Sequence, residues 1–311
     1  MMDQIIQMSR KPHIVVATPG RLCDLLETNN ISLKGVKYMV FDEADRLLSS
    51  DSTFLISEIP SIVQRINLDT ARLLFFSATM SKDVHRFHRN IATTPRTLFE
   101  FNCNEEFELP ERLCQFYILT PSQVRETFLV SLFRGPLASK TAIIFVGKCR
   151  TCELLTETMR KLKFSVAGLH STMPQRQRIA NLQRFRSGIC KVLVSTDVGS
   201  RGLDIPTVDF VVNYDIPADP RDYVHRVGRA ARAGRSGTAI SLVKELDVEI
   251  FKKIEHIVKQ VVPIYPFAPK ESEVIALLNE VSAAKRAVEI NLHDSKFGFK
   301  QEKNIAKWKR V

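Results

Sequence analysis

Lys191-Val192-Leu193-Val194-Ser195-Thr196-Asp197-Val198-Gly199-Ser200-Arg201-Gly202-Leu203-Asp204 is the stretch that decides the fold. An apolar, β-branched run without polar alternation ends abruptly in hydroxyls, carboxylates, glycines and an arginine. Such a run reads as a strand buried on both faces, and the polar cluster as the loop at its carboxyl end. The same grammar recurs at His13–Ala17, Val36–Phe41, Arg72–Phe76, Thr141–Val146, Ser165–Leu169, Val208–Asn213 and Thr238–Val243. Helix-period stretches separate the runs at Leu55–Arg65, Lys82–Ile91, Val124–Phe133, Cys149–Lys163, Pro174–Ser187 and Leu246–Lys259. Pro174 suits the first turn of its helix and Gly188 the stop of the same one. Strands alternating with helices specify an α/β fold of parallel sheets flanked by helices.

The rhythm breaks at Phe101–Glu111, read as a linker, and again from Pro263. The expected organisation is therefore one α/β domain over 1–102, a second over 103–262, and an extension over 263–311. That extension holds an amphipathic helix, Glu271–Ile290, and a basic tail, Lys296–Arg310. A chain of 311 residues suits two domains, and a 44% hydrophobic content excludes an intrinsically disordered protein.

The 45 Lys+Arg against 34 Asp+Glu leave a net charge of +11, unevenly spread. There are 12 basic and 11 acidic residues in 1–102, 24 and 17 in 103–265, and 9 and 6 in 266–311. A basic surface on the later two-thirds suits nucleic acid better than a small substrate. No apolar run approaches the roughly 18 residues of a membrane-spanning helix. Met1-Met2-Asp3-Gln4 has neither the basic nor the apolar region of a signal peptide. Six cysteines are too sparse for a disulfide scaffold and indicate a reducing compartment, cytosol or nucleus. Cys149-x-x-Cys152 lacks a second pair to complete a zinc site, so no zinc is expected.

Ligands of open parallel sheets sit beyond the carboxyl ends of the strands, and the unusual residues cluster there. Asp42-Glu43-Ala44-Asp45 follows Tyr38-Met39-Val40-Phe41. Read alone, this is either a helix cap on a solvated turn or a magnesium-binding device. In the second case one carboxylate faces a hard cation shared with phosphate, and its neighbour orients a water. His225-Arg226-Val227-Gly228-Arg229-Ala230-Ala231-Arg232 spaces three arginines by three, which on a helix would bring them to one side; it reads either as an ordinary basic surface or as forked guanidiniums aimed at a phosphoryl group. In the 195–204 stretch, glycine-freed amides with Thr196 and Arg201 could hold a nucleic-acid phosphate, and Asp204 could accept from a ribose. It also reads as a capped β-turn. Thr18-Pro19-Gly20-Arg21 reads as a turn with a hydroxyl, a free amide and a cation. Ser77-Ala78-Thr79 and Gln175-x-x-Arg178 are weaker, equally compatible with a helix cap and with exposed helical side chains.

Taken in order, TPGR at 18–21, DEAD at 42–45, SAT at 77–79, IIFVG at 143–147, QxxR at 175–178, STDVGSRGLD at 195–204 and HRVGRAAR at 225–232 resemble the DEAD-box ATP-dependent RNA helicases of superfamily 2. The resemblance covers 11–262 and implies RecA-like sheets, with ATP and magnesium as cofactors. By it, Asp42 would hold magnesium through water and Glu43 would position the hydrolytic water. Asp45 would link this motif to Ser77, Thr79 and His225. Arg229 and Arg232 would be arginine fingers, and Asp204 would touch the ribose. Thr18, Gly20, Arg21, Gln175, Arg178, Thr196 and Arg201 would lie along single-stranded RNA. The implied mechanism is clamp closure on RNA that opens short duplexes. The wording around the motifs and the basic ending look closest to the nucleolar ribosome-biogenesis branch. That branch implies pre-ribosomal RNA as partner, an assembly protein as possible cofactor, a monomer, no membrane, and a nuclear, nucleolar address.

The chain departs from the family pattern in three places. It contains no G-x-x-x-x-G-K-[ST] loop, no adenine-reading glutamine motif and no PTRELA-like segment. The expectation is an N-terminally truncated first domain. A second reading follows, an inactive product that binds RNA or protein through its basic surface. Ala230 stands where the family usually has Thr, a change the arginine spacing should tolerate.

Overall fold

The computed structural model describes residues 2–28, 31–48, 55–77, 82–91, 99–101, 109–110, 112–200, 203–231 and 235–294. The chain divides into two compact units, Met1–Glu106 and Phe107–Val311.

The first unit runs α1 (Met2–Ser9), α2 (Pro19–Thr28), β1 (Tyr38–Asp42), α3 (Ala44–Leu47), α4 (Leu55–Val63), β2 (Arg72–Phe76) and α5 (Lys82–Ile91). β1 and β2 pair in parallel, with Phe41 opposite Phe75. Their rings stack at 4.9 Å, and Phe87 of α5 meets both edge-on. Phe41, Ala44, Ile59, Val63 and Val84 form the core on this side of the strands. The other side presents Tyr38, Val40, Leu74 and Phe76 to solvent. α2 packs on α4, and Arg65 reaches across to donate to the Leu26 carbonyl at 2.8 Å, near the end of α2.

The expected strand at His13–Ala17 is irregular chain, with Ile14 and Val16 exposed. A β-branched run becomes a strand only when a ladder partner satisfies its backbone, and among the described residues β1 and β2 pair with each other alone. Thr18-Pro19-Gly20-Arg21 is likewise the start of α2 and not a free turn. Pro19 takes the first helical position, where its missing N–H costs nothing, and Leu22 donates back to the Thr18 carbonyl.

The second unit runs β3 (Leu113–Leu119), α6 (Arg125–Arg134), β4 (Ala142–Val146), α7 (Cys149–Lys161), β5 (Val166–Leu169), α8 (Gln175–Arg186), β6 (Val192–Thr196), α9 (Asp197–Ser200), β7 (Phe210–Asn213), α10 (Pro220–Val227), β8 (Gly237–Val243), a 3₁₀ turn (Glu245–Asp247), α11 (Val248–Ile257) and α12 (Glu271–Asp294). All six strands are parallel, in the order β3-β8-β7-β4-β6-β5. Every residue of β4, β5 and β6 is buried, because two cores cover the two faces of the sheet. Gly188 closes α8 with φ 75°, a left-handed turn that glycine adopts without strain, and Pro174 sits at the N-cap of α8, one place outside the helix. α12 lies on α6 and α7. It buries Val274, Val281, Ala284 and Val288 and adds ion pairs Arg134–Glu280 at 2.6 Å and Lys285–Glu126 at 2.7 Å.

Candidate functional site

In the first unit the acidic cluster stands where β1 stops. Asp42 is the last residue of the strand, and its Oδ1 accepts from the Glu43 amide at 3.0 Å. Glu43 has φ 51° and ψ 48°, a left-handed conformation rare for a residue with a side chain. The chain thereby turns within one residue from strand to α3. Asp45 is 1% exposed, and its amide donates to Ser77 Oγ at 3.1 Å, across the carboxyl ends of the two strands. Thr79 lies outside the described residues. Arg21 is engaged by Gln4 Oε1, at 2.8 Å from Nε and 2.6 Å from Nη2. A Cβ on Gly20 would stand 3.2 Å from both carboxylate oxygens of Glu58, so glycine here lets α4 approach the first turn of α2.

In the second unit Thr196 ends β6, buried, and its Oγ1 accepts from the Gly199 amide at 3.1 Å. Gly199 packs so closely on β5 that a Cβ would meet the Leu169 carbonyl at 2.5 Å. Arg178 donates to the Gly199 carbonyl at 3.0 Å and to Gln175 Oε1 at 3.4 Å. Gln175, Arg178 and the Thr196–Gly199 turn therefore form one continuous patch, although α8 and β6 are separate in sequence. Asp204 keeps an exposed carboxylate, held by Arg186 Nη2 at 3.0 Å. Arg201 lies outside the described residues.

The arginine stretch departs from its expected geometry. α10 stops at Val227, with Gly228 as its cap, so the three-residue spacing does not continue along one helix. Arg226 turns inward, 3% exposed. Arg229 follows the helix end, half-buried, its amide donating to the Arg226 carbonyl at 2.9 Å. His225 is half-buried beside it, and Arg232 lies outside the described residues. A Cβ on Gly237 would stand 2.0 Å from the Ala230 carbonyl, so this segment rests directly on the first residue of β8.

Two polar junctions were not singled out from the sequence. Arg226 forks onto Asp197, both bonds at 2.7 Å. Arg125 of α6 lies 3.7 Å over the Tyr214 ring and bonds Asp215 Oδ1 at 2.9 Å, while Asp215 Oδ2 accepts from the Gly147 amide. The partners are far apart in the chain, and only the position of each beside a strand end hints at the pairing. Burial pushes the Cys152 thiol up to about 12, and the side chain packs in the core between α7 and the sheet. Among the described residues no group of three or more His, Cys, Asp or Glu could hold a metal on protein ligands alone.

Residues 1–87 match the DEAD/DEAH box helicase family and 126–234 match the helicase conserved C-terminal domain. ATP-dependent RNA helicase dbp8 of Schizosaccharomyces pombe is 42% identical over 319 residues, covering 99% of this chain and 69% of that protein. Probable ATP-dependent RNA helicase DDX49 of Mus musculus is 39% identical over 311 residues. That match covers 99% of this chain, which spans 64% of the mouse protein's length. The structure of Saccharomyces cerevisiae Dbp5 bound to RNA and ADP BeF3 is similar with a TM-score of 0.71 at 31% identity, over 86% of this chain and 68% of that one. With parallel sheets flanked by helices and the DEAD residues at a strand end, the chain belongs to the DEAD/DEAH box helicase family.

Proposed function

We propose that the protein is an ATP-dependent RNA helicase that closes as a clamp on single-stranded RNA and opens short duplexes during ribosomal RNA processing, in the nucleolus. The observation that carries this reading is the carboxylate pair at the end of β1. Asp42 and Glu43 stand on a one-residue left-handed turn, braced beneath by the Asp45–Ser77 bond. Residues 1–102 act as the hydrolytic segment, 103–262 as the RNA-gripping domain and 263–311 as an accessory extension.

Asp42 suits a magnesium ion carried largely by water and phosphate, the usual habit of that cation, and a lone strand-end carboxylate fits such a role better than a protein cage would. Magnesium, when bound with ATP, would neutralise phosphate charge. Glu43 orients the attacking water as general base, and Asp45 with Ser77 and Thr79 fixes the turn that carries it. His225, Arg229 and Arg232 serve hydrolysis, the two arginines by meeting phosphate oxygens. Asp204 contacts the ribose. Thr18, Gly20, Arg21, Gln175, Arg178, Thr196 and Arg201 line the RNA backbone, a mode that favours RNA without reading base order.

The test uses the native protein isolated from its own cells. RNA-stimulated ATP hydrolysis is expected, and Glu43→Gln is expected to lower it by about 10²–10⁴-fold, the usual worth of a positioned base. Hydrolysis that RNA does not stimulate, or that survives Glu43→Gln, overturns the reading. A second reading is favoured by the net charge of +11. It is nucleotide-independent RNA binding, recognised by log affinity falling linearly with log salt and by indifference to ATP.

A further inference from the structure

The geometry points to Arg226 as a positioning residue that, through Asp197, holds the proposed RNA-contacting turn and the proposed phosphate-contacting arginine segment in one fixed relation. The inference rests on the reading just given for Gln175, Arg178, Thr196 and Arg229. It assigns a role to Arg226 of the HRVGRAAR stretch, whose side chain turns away from solvent.

A guanidinium has five N–H donors, and four of those of Arg226 are committed inside the protein. Nε and Nη2 grip the two oxygens of Asp197 at 2.7 Å each. Nη1 donates to the Asp215 carbonyl at 2.6 Å and to Asn213 Oδ1 at 3.3 Å. The guanidinium carbon stands 5.3 Å from the centre of the Phe145 ring. These partners sit in β4, just after β6, and at and beyond the end of β7, three strands adjacent in the sheet. Arg226 thus spans the carboxyl ends of three neighbouring strands. With the side chain 3% exposed, it has no face to offer a ligand.

Both proposed surfaces are one step from this fork. On one side Asp197 opens α9, whose Gly199 amide is capped by Thr196 and whose Gly199 carbonyl is held by Arg178. On the other, the Arg226 carbonyl accepts from the Arg229 amide at 2.9 Å, so the backbone from which Arg229 projects is set by the residue that grips Asp197. Stability alone does not account for the choice of residues, because apolar groups of similar volume often serve a buried position as well as an ion pair does. A two-pronged bond between planar groups supplies a defined orientation. A lysine would keep the charge, but one ammonium cannot span both carboxylate oxygens and the two acceptors beyond them.

The experiment compares RNA affinity with and without a non-hydrolysable ATP analogue in the full-length native protein, Arg226→Lys, Asp197→Asn and the double variant. Each is assayed well below its own melting temperature, so that loss of folded protein does not enter. Both single variants are expected to lose at least about tenfold of the nucleotide-induced gain in affinity, while nucleotide-free affinity moves less than about threefold. The double variant should be no worse than either single, the non-additive behaviour of two ends of one contact. An undiminished gain in folded Arg226→Lys and Asp197→Asn overturns the proposal.

Amide hydrogen exchange tests the same coupling without RNA or nucleotide. Asp197→Asn is expected to speed exchange at 225–231 as well as at 197–200, and unchanged exchange at 225–231 also overturns the proposal. If the unaltered protein shows no nucleotide-dependent RNA affinity, the helicase reading fails, while the exchange experiment still decides whether Arg226 positions the two segments.

Discussion

The Asp45 amide donates to Ser77 Oγ at 3.1 Å, tying the helix after β1 to the residue that follows β2. The β1–β2 ladder ends with Asp42 opposite Phe76, so this bond extends the pairing one step beyond the strands, at the level of the acidic turn. The direction in which Asp42 and Glu43 present their carboxylates therefore depends on a hydroxyl from a different motif.

Ser77→Ala should lower the stability of the first unit by about 1–3 kcal/mol, the range for stranding a buried donor. Ser77→Thr, which keeps the oxygen, should cost less. Urea unfolding followed by a probe in the first unit checks both. Equal midpoints for Ser77→Ala and the unaltered protein would show that the bond is replaced by water.

Glu43 occupies a backbone conformation that costs a non-glycine residue about 1 kcal/mol. Glu43→Gly should raise the melting temperature while removing the carboxylate proposed as general base. Glu43→Val, with a branched Cβ in the same conformation, should lower it. Calorimetry on the pair separates strain from chemistry, and the sign of the Gly effect is the decisive reading.

Gly237→Ala should be far more damaging than its size suggests. The added methyl would stand 2.0 Å from the Ala230 carbonyl, a backbone atom that cannot rotate away. The 229–231 segment must then shift off β8, at a cost of about 1–3 kcal/mol or more. The expected signature is a lowered melting temperature together with altered exchange at 229–231.

Most of the fold is legible in the chain because its strands are buried on both faces, and burial of that kind writes itself as an unbroken apolar run. β2 and α5 fall at the expected residues, and β4 to β8 within two residues of them. The reading misses at His13–Ala17, where the composition is right and the ladder partner is missing. It also misses β3, an edge strand whose Cys114 and Gln115 dilute the apolar signal. At the candidate site, the strand-end clusters mark where the candidate residues gather, but local spacing cannot say which way a side chain turns. Arg226, Arg229 and Arg232 look equivalent in sequence. Where α10 stops, and a carboxylate many residues away at Asp197, separate the inward arginine from Arg229.

Alkaline pH should unfold the second unit. The Cys152 thiol is raised by burial from 9.0 to about 12, and burial also holds the Tyr214 and Tyr223 hydroxyls well above the tyrosine range. A raised pKa means that the folded protein keeps a proton the unfolded chain releases. The stabilisation is whole below about pH 9 and is lost as pH climbs toward 12, at about 1.4 kcal/mol per pH unit for each such group. Cys152→Ala should flatten this decline by one proton between pH 9 and 12, measured by urea unfolding across that range. At pH 8, N-ethylmaleimide should label exposed Cys114 and spare Cys152 until the protein unfolds.

The strand order of the second unit sets a timetable for its birth. β3 is its first strand to leave the ribosome, yet it pairs with β8, Leu113 meeting Gly237. At about 5–20 residues per second, translation leaves β3 waiting on the order of ten seconds for its partner. During that interval Phe116, Ile118 and Leu119 have no sheet to join. A nascent chain halted before Gly237 would carry β3 unpaired and leave the β7 edge open, the exposed-edge situation that invites mispairing and engages chaperones.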